Sequence, residues 1–121
     1  MNLTELFRHE TELLALPADQ VLFHEGDKGN LMYVIMSGTA LISVNNRLVE
    51  TAEPGAIVGE LAMIQDATRT ATVIAKSDCM LLPIGIERFN VLIQRTPDIA
   101  LHVMRVLANR LRKTDEILRS N

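Results

Sequence analysis

Between Pro17 and Ile84 the chain advances in short apolar stretches, each closed by residues that turn a backbone, and this rhythm limits the fold more than any other feature. Val21 and Phe23 alternate with Leu22 and His24, and the run from Glu25 to Asn30 is a turn cluster. Leu31 to Met36 is a continuous apolar run closed by Ser37-Gly38, the pattern of a strand buried on both faces. Ala40, Ile42 and Val44 share one face of the next stretch, and Asn45-Asn46 suits a tight hairpin because Asn tolerates positive φ. Leu48 to Ala52, Thr70 to Ala75 and Met80 to Ile84 complete the set, with turns at Glu53-Pro54-Gly55 and Lys76-Ser77-Asp78. Six or seven such strands at spacings near ten residues predict an all-β sandwich or roll.

Helical periodicity frames this β region. Residues 2 to 14 carry Leu3, Leu6, Phe7, Leu13 and Leu14 behind Asn2 and Thr4, either of which suits a helix cap. Glu87 to Ile93 reads as a short helix ended before Pro97, and Pro97 opens a last one. Along that helix Ile99, Val103, Val106, Leu107, Leu111, Ile117 and Leu118 form an apolar stripe, widened by Leu101, Met104 and Ala108. Such a helix covers a pocket, pairs with its copy in a homodimer, or merely closes the roll. At 121 residues the chain is one domain, with only 3% aromatic residues, so its core rests on Leu, Ile, Val and Met. A net charge of -3 argues against nucleic acid as a direct partner. The lone Cys79 excludes an internal disulfide, and no apolar run is long enough for a membrane span. His9, His24 and His102 stand apart, which leaves no metal site and no cupin-like enzyme to propose. A cytoplasmic, non-enzymatic protein without a cofactor is the expectation.

The chemistry concentrates between Pro54 and Val73. Gly59 lets the backbone approach a ligand, and Glu60 opens a helical turn whose first N–H groups lack partners, a setting that attracts an anion. Arg69, at what reads as the start of a strand, is placed to clamp a phosphate. Glu60 would repel that phosphate unless the ligand also brings hydroxyl donors, as a ribose does, because a carboxylate only accepts. The competing interpretation is a solvated Glu60–Arg69 ion pair flanking a loop. On spacing alone the two are evenly matched.

Gly59-Glu60-Leu61-Ala62, followed after a loop by Arg69-Thr70-Ala71-Thr72-Val73, resembles the phosphate-binding cassette of the cyclic nucleotide-binding domain family. That family includes catabolite activators, kinase regulatory subunits and gated channels. The likeness extends to Phe23-His24-Glu25-Gly26-Asp27, to Leu31 through Gly38, and to Pro97-Asp98-Ile99 with Arg110-Leu111. It implies a jelly-roll β-roll at 17–85 with the cassette at 58–73, a helical segment at 1–16 and C-terminal helices at 86–119.

The resemblance also implies roles. Glu60 would accept the ribose 2′-hydroxyl and Arg69 would bind the cyclic phosphate, with further contacts around Val58, Gly59, Leu61, Ala62 and Ala71. Thr70 stands where a hydroxyl is compatible with guanine, so cAMP is expected first and cGMP second. Arg110 would reach toward the ribose-binding carboxylate, and Thr114 would offer a hydroxyl to the base. Asp115 and Thr68 depart from the family pattern; the first replaces a hydroxyl residue that serves the nucleotide of a second subunit. No DNA-binding region follows before Asn121, so a stand-alone sensor that repositions its C-terminal helix for an unidentified effector is expected. The alternative is an orphan interaction or dimerisation module that binds no nucleotide.

Overall fold

A computed structural model of the chain describes residues 1–65 and 68–119. Within the cassette assigned to 58–73, positions 66 and 67 therefore lie outside the described residues. Eight strands form two antiparallel four-stranded sheets: β1 (Leu14–Leu16), β2 (Val21–Phe23), β3 (Met32–Ser37), β4 (Ala40–Val44), β5 (Arg47–Ala52), β6 (Ile57–Val58), β7 (Thr72–Ala75) and β8 (Cys79–Ile84). One sheet runs β1-β8-β3-β6 and the other β2-β7-β4-β5. This interleaving of eight strands in two sheets is a jelly roll, as the sequence led us to expect. The β4–β5 hairpin turns at Asn45 and Asn46 with φ of 51° and 62°, both left-handed.

Strand β3 shows why an unbroken apolar run belongs here. Met32 and Val34 pack with the helices, while Ile35 and Tyr33 pack inside the roll. The outer cluster joins them to Leu3 and Phe7, to Phe89 of α2 (Ile86–Arg95), and to Ile99 and Val103 of α3 (Asp98–Arg119). The inner cluster, with Phe23, Ile42, Val58, Val73 and Leu81, fills the space between the sheets. Burying such side chains contributes about 1.5–3 kcal/mol each.

Two sequence expectations are corrected. The N-terminal segment is helical only at α1 (Leu3–Leu6), capped by Asn2 Oδ1 accepting from the Glu5 N–H at 3.3 Å. Leu14–Leu16, assigned to the helical segment, instead pairs with β8 through Leu14↔Leu81 and Leu16↔Cys79. Pro17 is the cause: the residue before a proline is pushed to extended backbone, and the alternation then buries Leu16 in the roll. The stripe on α3 also ends early. Ile99 and Val103 are buried, but Leu111 is 73% exposed, because there the helix has left the core and runs along the edge of β5. Among the described residues no helix is long and apolar enough to cross a membrane.

Candidate functional site

Strand β6 ends at Gly59, whose φ of 76° is left-handed and suits a residue without a Cβ. The chain then enters a single 3-10 turn, Glu60–Met63. A Cβ on Gly59 would press on the Arg69 guanidinium and on the Leu31 carbonyl, so the glycine is needed for space as well as for φ.

Arg69 is not at the start of a strand, as the sequence suggested; it lies in the loop ahead of Thr72, where β7 begins. Its backbone is fixed instead by the β2–β3 loop. The Arg69 N–H donates to the Asp27 carbonyl at 2.7 Å, and the Gly26 N–H donates to the Arg69 carbonyl at 2.8 Å. A bridge between Lys28 and Thr68 continues this pairing. The side chain is thereby directed inward, with Cζ 4.1 Å from the Phe23 ring centroid. Arg69 Nη1 donates to the Gly59 carbonyl at 3.5 Å, the long limit of a hydrogen bond, and buried Nε has no partner among the described residues. Burial pulls its pKa below the ordinary guanidinium value, against the opposing influence of Tyr33, Asp27 and Glu60. It stays a cation at neutral pH.

Glu60 and Arg69 are the buried charged residues among those described, at 7% and 8% exposure, and they form no ion pair with each other. The solvated-pair interpretation fails on both counts. Glu60 is instead matched by α3: Arg110 Nη1 donates to Glu60 Oε2 at 2.8 Å. The other edge of Arg110 grips Glu50 of β5, with Nε donating to Oε1 at 3.1 Å and Nη2 to Oε2 at 3.0 Å. Lys113 Nζ stands 4.0 Å from Glu50. Burial opposes the ionisation of Glu50, but the hydrogen bonds and charge of Arg110, with Lys113 beyond, hold its carboxyl below the usual value. For Arg110, burial is likewise outweighed by its two carboxylates, and its pKa rises.

Glu60, Arg69 and Arg110 border a cavity of about 410 Å³, within the range of small-molecule sites. All of Val58, Gly59, Glu60, Leu61, Ala62, Arg69, Thr70, Ala71, Arg110 and Thr114, the residues singled out from the sequence, line it. Phe23, Ile42, Val44, Val49 and Leu107 form apolar walls that sequence reasoning had placed only in strands or in the helical stripe. Glu50 was missed outright. Its signal was a carboxylate in the middle of the strand stretch Leu48 to Ala52. One cavity thus combines a desolvated cation, a carboxylate acceptor, the three threonines Thr68, Thr70 and Thr114, and apolar walls.

Comparisons with known proteins agree with this geometry. The family model described as cyclic nucleotide-binding domain matches residues 13–96. A lysophospholipase nte1 from Neosartorya fischeri is 35% identical over 106 residues, covering 84% of this chain and 7% of that protein. The cyclic AMP receptor protein of Thermus thermophilus is 30% identical over 104 residues, covering 82% of this chain and 48% of the relative. The chain therefore spans less than half the length of either. Among solved structures, the Thermus thermophilus catabolite activator protein superposes with a TM-score of 0.75 at 26% identity, covering 94% of this chain and 61% of that one. With its jelly roll, its glycine–glutamate corner and this match over most of its length, the chain belongs to the cyclic nucleotide-binding domain family.

Proposed function

We propose that the cavity binds a cyclic purine nucleotide, cAMP first and cGMP second, and that the domain is a regulatory sensor without catalytic activity of its own. One observation carries the reading: two buried, opposite charges share a small cavity without neutralising each other. Burying a charge is costly unless something compensates it. Arg110 meets one oxygen of Glu60, whereas the Arg69 Nε has no partner among the described residues. A ligand phosphate supplies the missing anion, while the ligand's sugar hydroxyls meet the rest of Glu60. Arg69 takes the phosphate, joined by backbone N–H groups at the glycine corner. Glu60 accepts the ribose 2′-hydroxyl, and the apolar walls hold the purine, with Thr70 and Thr114 at its edge. The name of the Thermus thermophilus relative, cyclic AMP receptor protein, supports the choice of ligand.

Helix α3 is the responding element in this proposal. Leu107, Arg110, Leu111 and Thr114 line the cavity, so a nucleotide interacts differently with a docked and an undocked helix, and that difference sets how far it shifts the equilibrium. Leu101, Met104, Ala108, Leu111 and Leu118 are exposed and fall in alternating three- and four-residue steps broken only by Asp115. That seam favours a second copy of α3 as its partner, in a homodimer. Met104→Glu then gives a monomer in sedimentation, and an unchanged mass for the variant rejects the seam.

Thermal denaturation with cAMP, cGMP and 5′-AMP tests the ligand assignment. A ligand at 100 times its Kd adds about 2.7 kcal/mol, enough to raise the Tm by about 10 °C in a domain of this size. Cyclic nucleotides are expected to do so and 5′-AMP to do far less. No shift with either cyclic nucleotide rejects the reading.

A further inference from the structure

Arg110 has more carboxylate around it than the cavity requires. Its two-nitrogen edge is spent on Glu50, which does not line the cavity, and a single N–H remains for Glu60. Among the described residues Glu60 Oε1 accepts no hydrogen bond. An arginine freed from Glu50 would be drawn to take Glu60 by both oxygens, since the two-bond arrangement is the favoured one between these groups. The ligand would then lose its acceptor.

The same carboxylate holds α3 in place. Glu50 binds Arg110 and faces Lys113, while Arg47 at the other end of β5 donates from Nη1 to the Ile117 carbonyl at 3.2 Å. Helix α3 is thus tied to one strand over the stretch that bears Leu107, Leu111 and Thr114 on the cavity.

We propose that Glu50 is a positioning residue of the site: by occupying the Nε–Nη2 edge of Arg110 it leaves one oxygen of Glu60 to a ligand hydroxyl and fixes α3 over the cavity. The inference rests on the nucleotide reading above and deepens it, assigning the recognition of the sugar hydroxyl to a three-residue relay.

The test compares cAMP with 2′-deoxy-cAMP by calorimetry, because the pair differs only at the group Glu60 would receive. A hydroxyl donating to a carboxylate supports a preference for cAMP of about tenfold or more in the parent. Glu50→Gln keeps the side-chain size but cannot accept from both Arg110 nitrogens, and the preference is expected to shrink to about threefold or less. Glu50→Ala should do the same, and Glu50→Asp should restore part of it. In an Arg110→Met background Glu50→Gln should have no further effect on the ratio, which a purely structural loss would not reproduce. Melting curves establish that each variant is folded. A ratio in Glu50→Gln and Glu50→Ala within twofold of the parent overturns the proposal, as does an equal loss for the two ligands. A parent that binds neither ligand overturns the nucleotide reading itself, and one that binds both equally removes Glu60 from sugar recognition and Glu50 with it.

Discussion

Replacing Arg69 by Met should stabilise the domain while destroying its affinity for nucleotide. Arg69 is 8% exposed, its Nε is unpaired, and the side chain's one hydrogen bond among the described residues reaches 3.5 Å. A buried polar group without a partner costs about 1–3 kcal/mol. Against this stands the contact with Phe23 at 4.1 Å, an interaction worth about 0.5–2 kcal/mol. Met keeps most of the aliphatic stem and, being flexible, fills the space against the ring. The central values of the two terms leave a net gain of about 1 kcal/mol, or a rise in Tm of about 3–6 °C. Loss of a desolvated charge contact to the phosphate should cost about 2–5 kcal/mol of binding, a 30-fold to 5000-fold weaker Kd. Scanning calorimetry and titration of Arg69→Met against the parent measure both quantities. Binding of cAMP within threefold of the parent would refute the phosphate role, and a fall in Tm of several degrees would refute the claim that this cation is held at a cost.

Three other outcomes follow from the same geometry. Thr70→Ala removes a hydroxyl from the cavity wall and should weaken cGMP about three- to tenfold while changing cAMP little, the loss typical of one hydrogen bond; equal losses in competition binding count against the contact. Glu50, held below its ordinary value of 4.5 by Arg110, contributes stability that is complete above that value and lost as the pH falls through its folded value. The Tm of the parent should therefore fall more steeply than that of Glu50→Gln between about pH 5 and pH 3, and parallel curves would contradict it. Burial pushes the Cys79 thiol up, and its Sγ lies 3.4 Å from the Thr39 carbonyl and 3.3 Å from that of Ser77. The native protein should react with a thiol reagent orders of magnitude more slowly than the denatured one, and equal rates would show that the site opens freely.

Much of this was legible in the chain. Strand alternation and turn residues were legible because they act locally: Asn45-Asn46 supplies the positive φ its hairpin needs, and the bond from the Asn45 N–H to Glu25 at 3.0 Å only adds to it. The spacing of Gly59, Glu60 and Arg69 drew attention to the cassette but left an ion pair equally open, and its resemblance to a known family made it legible. Relations between distant segments were not. That Asp27 and Gly26 fix the backbone of Arg69 depends on how the β2–β3 loop folds over the cassette, and no periodicity encodes it. Glu50 finds Arg110 across sixty positions, so the strand pattern showed only an acid out of place. Leu14 to Leu16 was misassigned because three residues are too few for a period, and edge pairing with β8 decided the matter. Leu111 joined the stripe on helical spacing, but the spacing does not say where a helix outruns the core.

The measurement that bears most directly on the central claim is a calorimetric titration of cAMP into the purified domain, with 5′-AMP titrated in parallel. Glu60 and Arg69 facing one cavity should give saturable binding of one cAMP per chain, with 5′-AMP weaker by about tenfold or more, since the ring-closed phosphate alone meets both groups together. Heats no larger than dilution for cAMP, or equal affinity for the open and closed phosphates, would contradict it.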